Sequence, residues 1–433
     1  MSPLKGLPLA VTDERACYSG AKEAFITANR LAIAAQLCPF IGGETKKTIY
    51  YLDIMRTVFF ENNFKSGLVL GLGFFDAVHS GHRALLRAVT EYAKKLSAAS
   101  GEKIHAAAFT FSNNMTDCRK SGEKLIYTYP ERLKIMQEIG IDTVVYAEMT
   151  PEFAATDGIA FLDALTSRYA IHAVFAGEDY RFGAGGRCGA DTLKNYFFQT
   201  GTEVKIIDFV MRTDVISDKN TSATGKNCDA DIRMTVKISD KNTNATDKNS
   251  DENVGAVAKI SAKYAGAAAK ISGKNAGGGA AVKISSSEIR TLLANGNIAE
   301  ANVLLGAPYF ICGEVVHCKG RGGSLGFPTA NIIPAADKLK LKEGVYATVT
   351  EVDGKPYVSV TSAGTRPTFS EYEYVAETFI DGFSGDLYGK QITVRFLARL
   401  RDVRRFPEKE ALREQIFRDI AAAHAAYGMR MDI

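Results

Sequence analysis

Residues 67 to about 210 alternate short apolar runs with segments of helical periodicity, and this alternation constrains the fold more than any other feature of the chain. The strand candidates are "GLVLGLG", "KIHAAAFTF", "TVVYAEM", "HAVFAGED" and "EVKIIDFV". The helix candidates between them are "HRALLRAVTEYAKKLSAA", "YPERLKIMQEIG", "DGIAFLDALTSRY" and "DTLKNYFFQTG". Strict alternation predicts a parallel sheet that helices cover on both faces. Such sheets bind ligands beyond the carboxyl ends of their strands.

The pattern changes after Ser285. Two short helix candidates, "SSEIRTLLANG" and "IAEANVLLG", are followed by the strand candidates "YFICGEVVH", "GVYATVTEV", "YVSVTSAG", "AETFIDG" and "QITVRFLARL". The tetrapeptide "VDGK" between two of these strands is typical of a hairpin turn. Short strands separated by turns predict a small antiparallel barrel. A final helix candidate, "PEKEALREQIFRDIAAAHAAYG", closes the chain.

Two segments fit neither pattern. Residues 211–283 repeat "KIS" and "DKN", are rich in Ala, Gly, Lys, Asn and Ser, and carry few large apolar side chains. Because such a composition cannot bury enough apolar surface to offset the entropy of ordering, we expect a disordered insertion there. We expect deletion of residues 215–282 to leave activity near normal. Residues 1–66 form an N-terminal extension to which we assign no function.

Length and composition describe a globular protein of two or three domains. The chain has 433 residues, of which 46% are hydrophobic and 24% are charged. No apolar run is long enough to span a bilayer, and the first residues do not resemble a secretory signal. The net charge of +4 suits anionic small molecules and gives no indication of a nucleic-acid partner.

Cysteine usage indicates a reducing compartment. The chain has 7 cysteines, an odd number, and no CxxC pair. Neither a disulfide framework nor a zinc site is therefore predicted, and we expect a cytoplasmic protein.

The stretch "GFFDAVHSGH", residues 73–82, joins the first strand candidate to the first helix candidate. The start of a helix offers free N–H groups and a partial positive charge, which together favour phosphate binding. Gly73 and Gly81 allow the backbone to approach a ligand closely, and His79 and His82 can donate hydrogen bonds to phosphate oxygens. Two alternatives remain open from these residues alone, namely that the histidines are metal ligands or packed core residues.

This stretch resembles the HxGH signature of nucleotidylyltransferases, in the form found in bifunctional riboflavin kinase/FMN adenylyltransferases. The resemblance continues with "GEDYRFGAGGRCG", residues 177–189, which is similar to the glycine-rich loop of that family. "ISSSEIR", residues 284–290, resembles the family's second nucleotidylyltransferase signature. Hydroxyls at a helix start cap N–H groups, and an arginine there can bind phosphate. An ordinary helix cap with a surface arginine is the alternative for this last stretch.

The second half of the chain carries the riboflavin kinase signature of the same family. "GRGGSLGFPTANI", residues 320–332, resembles it closely, and "GVY", "GTRPTF", "AETFIDGFSGDLYGK" and "LRDVRRF" follow in the family's order. The Thr329 hydroxyl and the Asn331 carboxamide are oxygen ligands of the kind that Mg²⁺ prefers. Without the other motifs, the glycines before the proline would indicate a turn. The resemblance marks Glu377 as the catalytic base; from the sequence alone it could equally be a surface residue of a strand.

The first domain departs from the family pattern at three places. Phe74 stands where the family usually has asparagine, and Ala77 stands where it usually has a second glycine. After the second strand the family usually has phenylalanine-glutamate-proline-histidine-proline, whereas this chain has Ser112, Asn113 and Asn114 after its phenylalanine. A third histidine is therefore missing from the expected adenylyl-transfer site.

The resemblance implies two joined domains. The first is an α/β nucleotidylyltransferase domain of the HxGH type, with a Rossmann-like parallel sheet, over residues 67–210 and 284–306. The second is a small antiparallel β-barrel riboflavin kinase domain with a C-terminal helix, over residues 307–433. The chain would phosphorylate riboflavin to FMN with ATP and would adenylylate FMN to FAD with a second ATP, in each case with Mg²⁺. We expect a monomer or a weak homo-oligomer.

The resemblance also implies the site residues. The implied catalytic residues are His79, His82, Arg290 and Glu377. ATP for adenylyl transfer would be bound by Gly73, Phe75, Asp76, Gly81, Gly177, Asp179, Ser286 and Ser287. ATP for the kinase would be bound by Gly320, Arg321, Gly322, Gly326 and Pro328. The implied flavin ligands are Phe182, Gly183, Gly364, Thr365 and Arg366, and the implied metal ligands are Thr329 and Asn331.

The sequence leaves two other functions open. The departures in the first domain favour, as an alternative, a riboflavin kinase joined to a weakened or inactive adenylyltransferase domain. A flavin- or nucleotide-sensing binding protein, in which the insertion recruits a partner, is the alternative from another class of protein.

Overall fold

The structure is a computed structural model that describes residues 55–113, 123–207, 211–214, 232–235, 238–239, 282–317, 327–367 and 372–431. The first part of the chain contains the strands β1 (Arg56–Phe59), β2 (Phe64–Leu72), β3 (His105–Phe111), β4 (Thr143–Ala147), β5 (Tyr169–Gly177) and β6 (Glu203–Ile207). Its helices are α1 (Ser80–Ser100), α2 (Tyr129–Ile139), α3 (Pro151–Ala154), α4 (Gly158–Arg168) and α5 (Ala190–Phe198).

The predicted parallel sheet is confirmed. Five strands run parallel in the order β4-β3-β2-β5-β6, and β1 lies at the edge beside β4. Strand β2 begins at Phe64, so the expected boundary between residues 66 and 67 falls inside this strand. The strand was predicted from a run of apolar residues, and its first residues include the polar residues Lys65 and Ser66. The predicted start therefore fell at Gly67.

Helix boundaries follow local capping chemistry. Helix α2 begins after Thr128, which forms a capping box with Glu131, and Pro130 occupies its first turn. It ends at Gly140, whose φ of 102° is a left-handed conformation that favours glycine. Helix α1 begins after His79 and ends at Gly101 with φ 72°. The turn residues therefore place the start of α1 directly after the loop that follows β2.

An aromatic core fills one face of this sheet. Phe60, Phe109 and Phe161 lie in mutual contact, with ring centroids 5.3–5.7 Å apart. The strand residues Leu68 and Leu70 beside them are fully buried. Removing one such leucine side chain costs about 2–5 kcal/mol in proteins of this kind. The core therefore holds the strand ends that carry the cavity described below in fixed positions.

Four short strands lie within residues 211–283, where we expected disorder. They are β7 (Met211–Asp214), β8 (Ile232–Thr235), β9 (Ile238–Ser239) and β10 (Val282–Lys283). Strand β9 pairs antiparallel with β6, and β10, β7 and β8 form a three-stranded antiparallel sheet in that order. These strands pair through their backbone groups. The disordered insertion that the composition indicates for residues 211–283 stays a prediction. The rest of the segment lies outside the described residues, as does the extension up to residue 54.

The second domain is an antiparallel sheet that curls upon itself. Helices α6 (Ser286–Asn295) and α7 (Ile298–Leu305) lead into it. Its strands are β11 (Phe310–Glu314), β12 (Thr329–Ile332), β13 (Gly344–Val352), β14 (Lys355–Pro367), β15 (Tyr372–Ile380) and β16 (Gln391–Arg401), and helix α8 (Lys409–Met431) follows. The strand order is β11-β16-β13-β14-β15-β12, and a bridge between Val316 and Asn331 joins the two edges. The predicted small barrel with a C-terminal helix is confirmed.

Part of the inside of the curled sheet is lined by hydroxyl groups, and these groups are hydrogen-bonded to one another. Hydroxyls of buried residues on β13, β14 and β15 bond one another at 2.8–2.9 Å; these residues are Thr348, Thr350, Ser359, Thr361 and Thr378. Because each hydroxyl has a partner, burial of these groups carries little penalty. Helix α8 packs on the other face of the sheet, against Val345, Val360 and Leu397. Side chains alternate along a strand, so Glu377, which precedes Thr378, points to the α8 side.

Among the helices that the structure describes, none is both long enough and apolar enough to cross a membrane.

Candidate functional sites in the two domains

A cavity of about 800 Å³ opens at the carboxyl ends of β2, β3 and β5. This is the edge at which a parallel α/β sheet is expected to bind its ligand. Most site residues proposed for the first domain line it together: Gly73, Phe75, Asp76, His79, Gly81, His82, Gly177, Asp179, Phe182, Gly183, Ser286 and Arg290. Asp76 and Arg290, which are 214 positions apart in the chain, thus meet in one cavity.

The loop between β2 and α1 is strained. Phe75 and Val78 have φ values of 56° and 40°, a left-handed conformation that residues other than glycine rarely adopt. A β-carbon at Gly73 would lie 2.7 Å from the Phe75 ring, so this position accepts only glycine without a shift of the ring. The loop directs the start of α1 at the cavity.

His79 caps α1. Its Nδ1 accepts a hydrogen bond from the His82 backbone N–H at 3.4 Å, so the proton of a neutral His79 ring resides on Nε2. The two imidazole rings stack with centroids 3.8 Å apart, and the Phe75 ring meets His82 edge-on at 5.2 Å. The His79 ring thus presents a donor to the cavity while its other nitrogen is held by the helix.

Burial keeps both histidines neutral at pH 7. It lowers the pKa of His79 to about 4; the Asp179 carboxylate opposes this shift and the Lys283 ammonium adds to it. Burial, together with His79 and Lys283, lowers the pKa of His82 well below its usual value. His82 Nδ1 is buried and lacks a hydrogen-bond partner in the described part of the chain. An anion bound beside these rings would favour their protonated forms.

A second helix start faces the same cavity. Helix α6 begins after Ser285, whose hydroxyl accepts a hydrogen bond from the Glu288 N–H at 3.2 Å, and Ser286 lines the cavity. Ser287, proposed from the sequence as an ATP ligand, is not among the described residues that line it. Ser285 was not among the predicted site residues, although a serine three residues before a glutamate is a capping signal.

Arg290 is held in place by acidic and backbone partners. Its Nη2 lies 2.6 Å from Asp76 Oδ2, its Nη1 lies 3.4 Å from Glu123 Oε2, and its Nε donates to the Lys124 carbonyl at 3.1 Å. Asp76 is buried and also accepts a hydrogen bond from the Ile126 N–H at 2.9 Å. Burial raises the pKa of the Asp76 carboxyl, and Arg290 opposes that shift. Asp76 therefore positions Arg290 and the segment around Ile126.

One half of the cavity is aromatic. The aromatic residues that line it include Phe74, Phe109, Phe111, Phe153, Phe161, Tyr180 and Phe182. Phe182 stacks on Tyr180 with ring centroids 5.6 Å apart. Gly183 next to it has φ 72°, and a β-carbon there would lie 2.8 Å from the backbone of Gly158. An apolar half beside two helix starts suits a flat ring system that carries phosphate.

The departures from the family pattern have defined partners in the structure. The Phe74 ring lies 4.9 Å from the Arg132 guanidinium, and the Phe74 carbonyl accepts from Arg132 Nη1 at 2.9 Å. Asn113 uses both amide atoms on the backbone of Met149: Nδ2 donates at 3.0 Å and Oδ1 accepts at 2.7 Å. Asn113 is thereby a link between the ends of β3 and β4. Asn114 lies outside the described residues.

A second constellation lies on the curled sheet. Asn331 of β12 stands directly opposite Glu377 of β15, and the Thr329 hydroxyl donates to Glu377 Oε1 at 3.1 Å. Asn331 is buried and Pro328 is exposed. On the same face, Phe379 contacts Phe327, which contacts Phe417 of α8.

Of the other predicted site residues of this domain, some lie on β14 and some lie outside the described residues. Gly364 and Thr365 lie on β14, where the Thr365 N–H donates to Glu343 Oε1 at 3.0 Å. Arg366 belongs to the same strand. The loop residues Gly320, Arg321, Gly322 and Gly326 lie outside the described residues.

Comparison with known proteins gives both domains a family. The FAD synthetase family model matches residues 61–220, and the riboflavin kinase family model matches residues 305–427. The bifunctional riboflavin kinase/FMN adenylyltransferase of Escherichia coli strain K12 is 28% identical over 369 residues, which are 84% of this chain and 94% of that protein. The protein of the same description from Bacillus subtilis strain 168 is 28% identical over 357 residues, 81% of this chain and 90% of that protein.

A solved structure supports the same arrangement. A crystal structure described as a macrolide-efflux protein from Streptococcus pneumoniae matches 86% of this chain and 99% of its own, with a TM-score of 0.60 and 25% identity. The relatives match both domains in one chain, in the same order and over most of their own length. This chain therefore belongs to the family of bifunctional riboflavin kinases/FMN adenylyltransferases.

Proposed function

We propose that this protein phosphorylates riboflavin to FMN in its second domain and adenylylates FMN to FAD in its first. The observation that carries the proposal is the cavity of the first domain, where two helix starts and the His79–His82 pair face an aromatic half. A flavin ring fits the aromatic half, and phosphate groups fit the helix starts. The odd number of cysteines, 7, supports our expectation of a reducing, cytoplasmic compartment. We expect a monomer or a weak homo-oligomer.

In the kinase reaction Glu377 acts as the base. The 5'-hydroxyl oxygen of riboflavin forms a bond to the γ-phosphorus of ATP, the bond from that phosphorus to ADP breaks, and Glu377 accepts the hydroxyl proton. The hydrogen bond from Thr329 holds the carboxylate in position on the strand. Helix α8 and Phe327 beside it shelter this face of the sheet.

Magnesium suits the donors of this second site. The Thr329 hydroxyl and the Asn331 carboxamide are hard oxygen donors, and the register places Asn331 beside Glu377. When bound, Mg²⁺ would neutralise charge on the phosphates of ATP. Thr329 and Asn331 are two residues apart on β12, so their side chains lie on the same face of the strand.

In the adenylyl transfer an oxygen of the FMN phosphate attacks the α-phosphorus of ATP. The bond from that phosphorus to the bridging oxygen of the β-phosphate breaks, and pyrophosphate leaves. The neutral His79 ring donates from Nε2, and the starts of α1 and α6 add backbone N–H groups. Arg290, fixed by Asp76, supplies a positive charge at the same wall.

A weakened adenylyltransferase domain is the second candidate. The observation that favours it is Asn113, whose amide atoms are bound to the Met149 backbone and do not point to a substrate. A flavin-sensing protein is a third candidate and would bind these ligands without product.

One pair of assays separates the candidates. The purified protein is incubated with riboflavin and Mg-ATP, and in parallel with FMN and Mg-ATP, and the flavins are separated by chromatography. We expect FMN and FAD respectively. Glu377→Gln should abolish FMN formation and leave FAD formation from FMN, and His82→Ala should do the reverse. FMN without FAD from the wild type would establish the weakened enzyme, and binding without either product would establish the sensor.

A further inference from the structure

Lys283 lies in the cavity although no motif of the sequence marked it. It belongs to β10, where it pairs with Met211 of β7, and its side chain lines the cavity. The three-stranded sheet of β10, β7 and β8 therefore sets the direction in which Lys283 enters the cavity. This sheet is built partly from the segment that composition alone marked as a disordered insertion.

One partner of Lys283, the Asp179 carboxylate, is a group that a phosphate can replace. Lys283 Nζ lies 2.5 Å from Asp179 Oδ2, and the two side chains are 40% and 59% exposed. An exposed ion pair contributes little net stability, so exchanging it costs little. Phosphate oxygens carry more negative charge than one carboxylate and form strong charge-assisted hydrogen bonds with ammonium groups.

Lys283 differs from the other cationic groups that line the cavity. Among the described residues that line it, the lysines and arginines are Arg181, Lys283 and Arg290. Arg290 is bound to Asp76 and Glu123, and Arg181 is exposed to solvent. The histidines are neutral, as their lowered pKa values indicate. Unlike Arg290, whose partner Asp76 is 3% exposed, Lys283 is paired with an exposed carboxylate, that of Asp179.

We propose that Lys283 binds the phosphates of ATP in adenylyl transfer and stabilises the departing pyrophosphate, in exchange for its contact with Asp179. The inference rests on the proposed function of the first domain. On this proposal the function of the β10-β7-β8 sheet is to hold Lys283 at the cavity.

The first test compares two variants of Lys283 and one control. Lys283→Met should lower kcat/KM for ATP in FAD formation about 10- to 100-fold, whereas Lys283→Arg should retain most of it. Riboflavin phosphorylation by the same chain should stay within twofold of wild type in both, which reports on folding. Lys390→Met is the matched control, because it removes an exposed lysine–aspartate pair of the second domain. FAD formation within twofold of wild type in Lys283→Met would overturn the inference.

The second test measures pyrophosphate binding by calorimetry and does not depend on turnover. Pyrophosphate should bind Lys283→Met at least about tenfold more weakly than it binds wild type or Lys390→Met. Equal affinities would overturn the role of Lys283 even if the wild type makes FAD. If the wild type makes no FAD but Lys283→Met still loses pyrophosphate affinity, the proposed function fails and the binding site stands.

The third test addresses the sheet. Deletion of residues 215–282 removes β8, β9 and Val282. In contrast to the expectation from composition alone, it should reduce FAD formation as strongly as Lys283→Met does. Replacement of residues 240–281 by a flexible linker retains all four strands, β7, β8, β9 and β10, and should leave FAD formation near normal. Kinase activity again reports on folding of the remainder. Normal FAD formation after the longer deletion would show that the sheet does not position Lys283.

Discussion

The two ring nitrogens of His79 have different functions. Nδ1 accepts from the His82 backbone and caps α1, and Nε2 remains as a donor for the cavity. The sequence motif identified the residue, but the tautomer follows from the helix start alone. A glutamine could imitate one of these contacts, and an alanine could imitate neither.

The lowered pKa of His79 predicts a pH-dependent stability. The unfolded chain binds a proton at this residue below pH 6.5, and the folded chain binds it only near pH 4, so the free energy of unfolding should fall as pH falls through that window. Relative to wild type, His79→Gln should remove on the order of 1–3 kcal/mol of the change between pH 6.5 and 4.5. Urea unfolding at the two pH values measures it. Parallel pH profiles for both proteins would contradict the prediction.

We expect substitution of Asn113 to lower the stability of the protein without a specific loss of catalysis. Asn113→Ala removes two hydrogen bonds to the partly buried Met149 backbone and should cost about 1–3 kcal/mol of unfolding free energy. Ser112→Ala is the control, because its hydroxyl reaches the Ala147 carbonyl only at 3.5 Å and should change stability by less than about 0.5 kcal/mol. Denaturant titrations compare the two. A normal stability of Asn113→Ala, combined with lost FAD formation, would instead assign Asn113 to the substrate.

At the scale of elements, the cavity depends on loops that follow β2 and β5. The first loop contains Phe75 and Val78 in left-handed conformations, and the second contains Gly183 at φ 72°. Local preferences do not favour the conformations of Phe75 and Val78, so the surrounding strands must impose them. The loops are therefore the elements whose substitution should alter one activity and spare the other.

Gly183→Ala should impair FAD formation selectively. A β-carbon at this position would lie 2.8 Å from the Gly158 backbone, so the loop that carries Phe182 must move. We expect kcat/KM for FMN to fall about tenfold or more, while riboflavin phosphorylation remains within twofold of wild type. Gly201→Ala is the matched control, since Gly201 also has φ 72° but a β-carbon there meets no atom within 4 Å. An equal effect of both substitutions would attribute the loss to backbone strain alone.

At the scale of the whole molecule, the two domains share a buried interface. Lys338 of the second domain bonds Glu131 Oε2 of α2 at 2.5 Å, and each side chain is 1% exposed. Lys338 also donates to the Ile126 carbonyl at 3.0 Å, and Glu131 Oε1 accepts from the Cys312 N–H at 2.9 Å. The segment at Ile126 that binds Asp76 is therefore also bound by the second domain.

Breaking this pair should destabilise the protein strongly. Lys338→Met leaves the Glu131 carboxylate buried without its cation and should cost about 3–5 kcal/mol of unfolding free energy. The double substitution Glu131→Gln with Lys338→Met removes the isolated charge and should recover most of that loss. Denaturant unfolding followed by fluorescence measures both. A double variant as unstable as Lys338→Met would show that the charge imbalance is not the cause.

The sequence by itself determined the order of strands and helices, the division into two domains, and the motifs that meet in the cavity of the first domain. These are local properties: periodicity, capping serines and threonines, and glycines at turns are legible from neighbouring residues. The family resemblance placed Thr329, Asn331 and Glu377 in one site, and the register of β12 against β15 brings these three residues together.

Only the tertiary structure decided the partners of the individual side chains. Lys283 enters the cavity because β10 pairs with β7, Asn113 is bound to Met149 because β3 lies beside β4, and Lys338 meets Glu131 because the domains pack together. Such contacts join residues from 36 to 207 positions apart. They depend on strand order, register and domain packing, which no local pattern of residue types specifies.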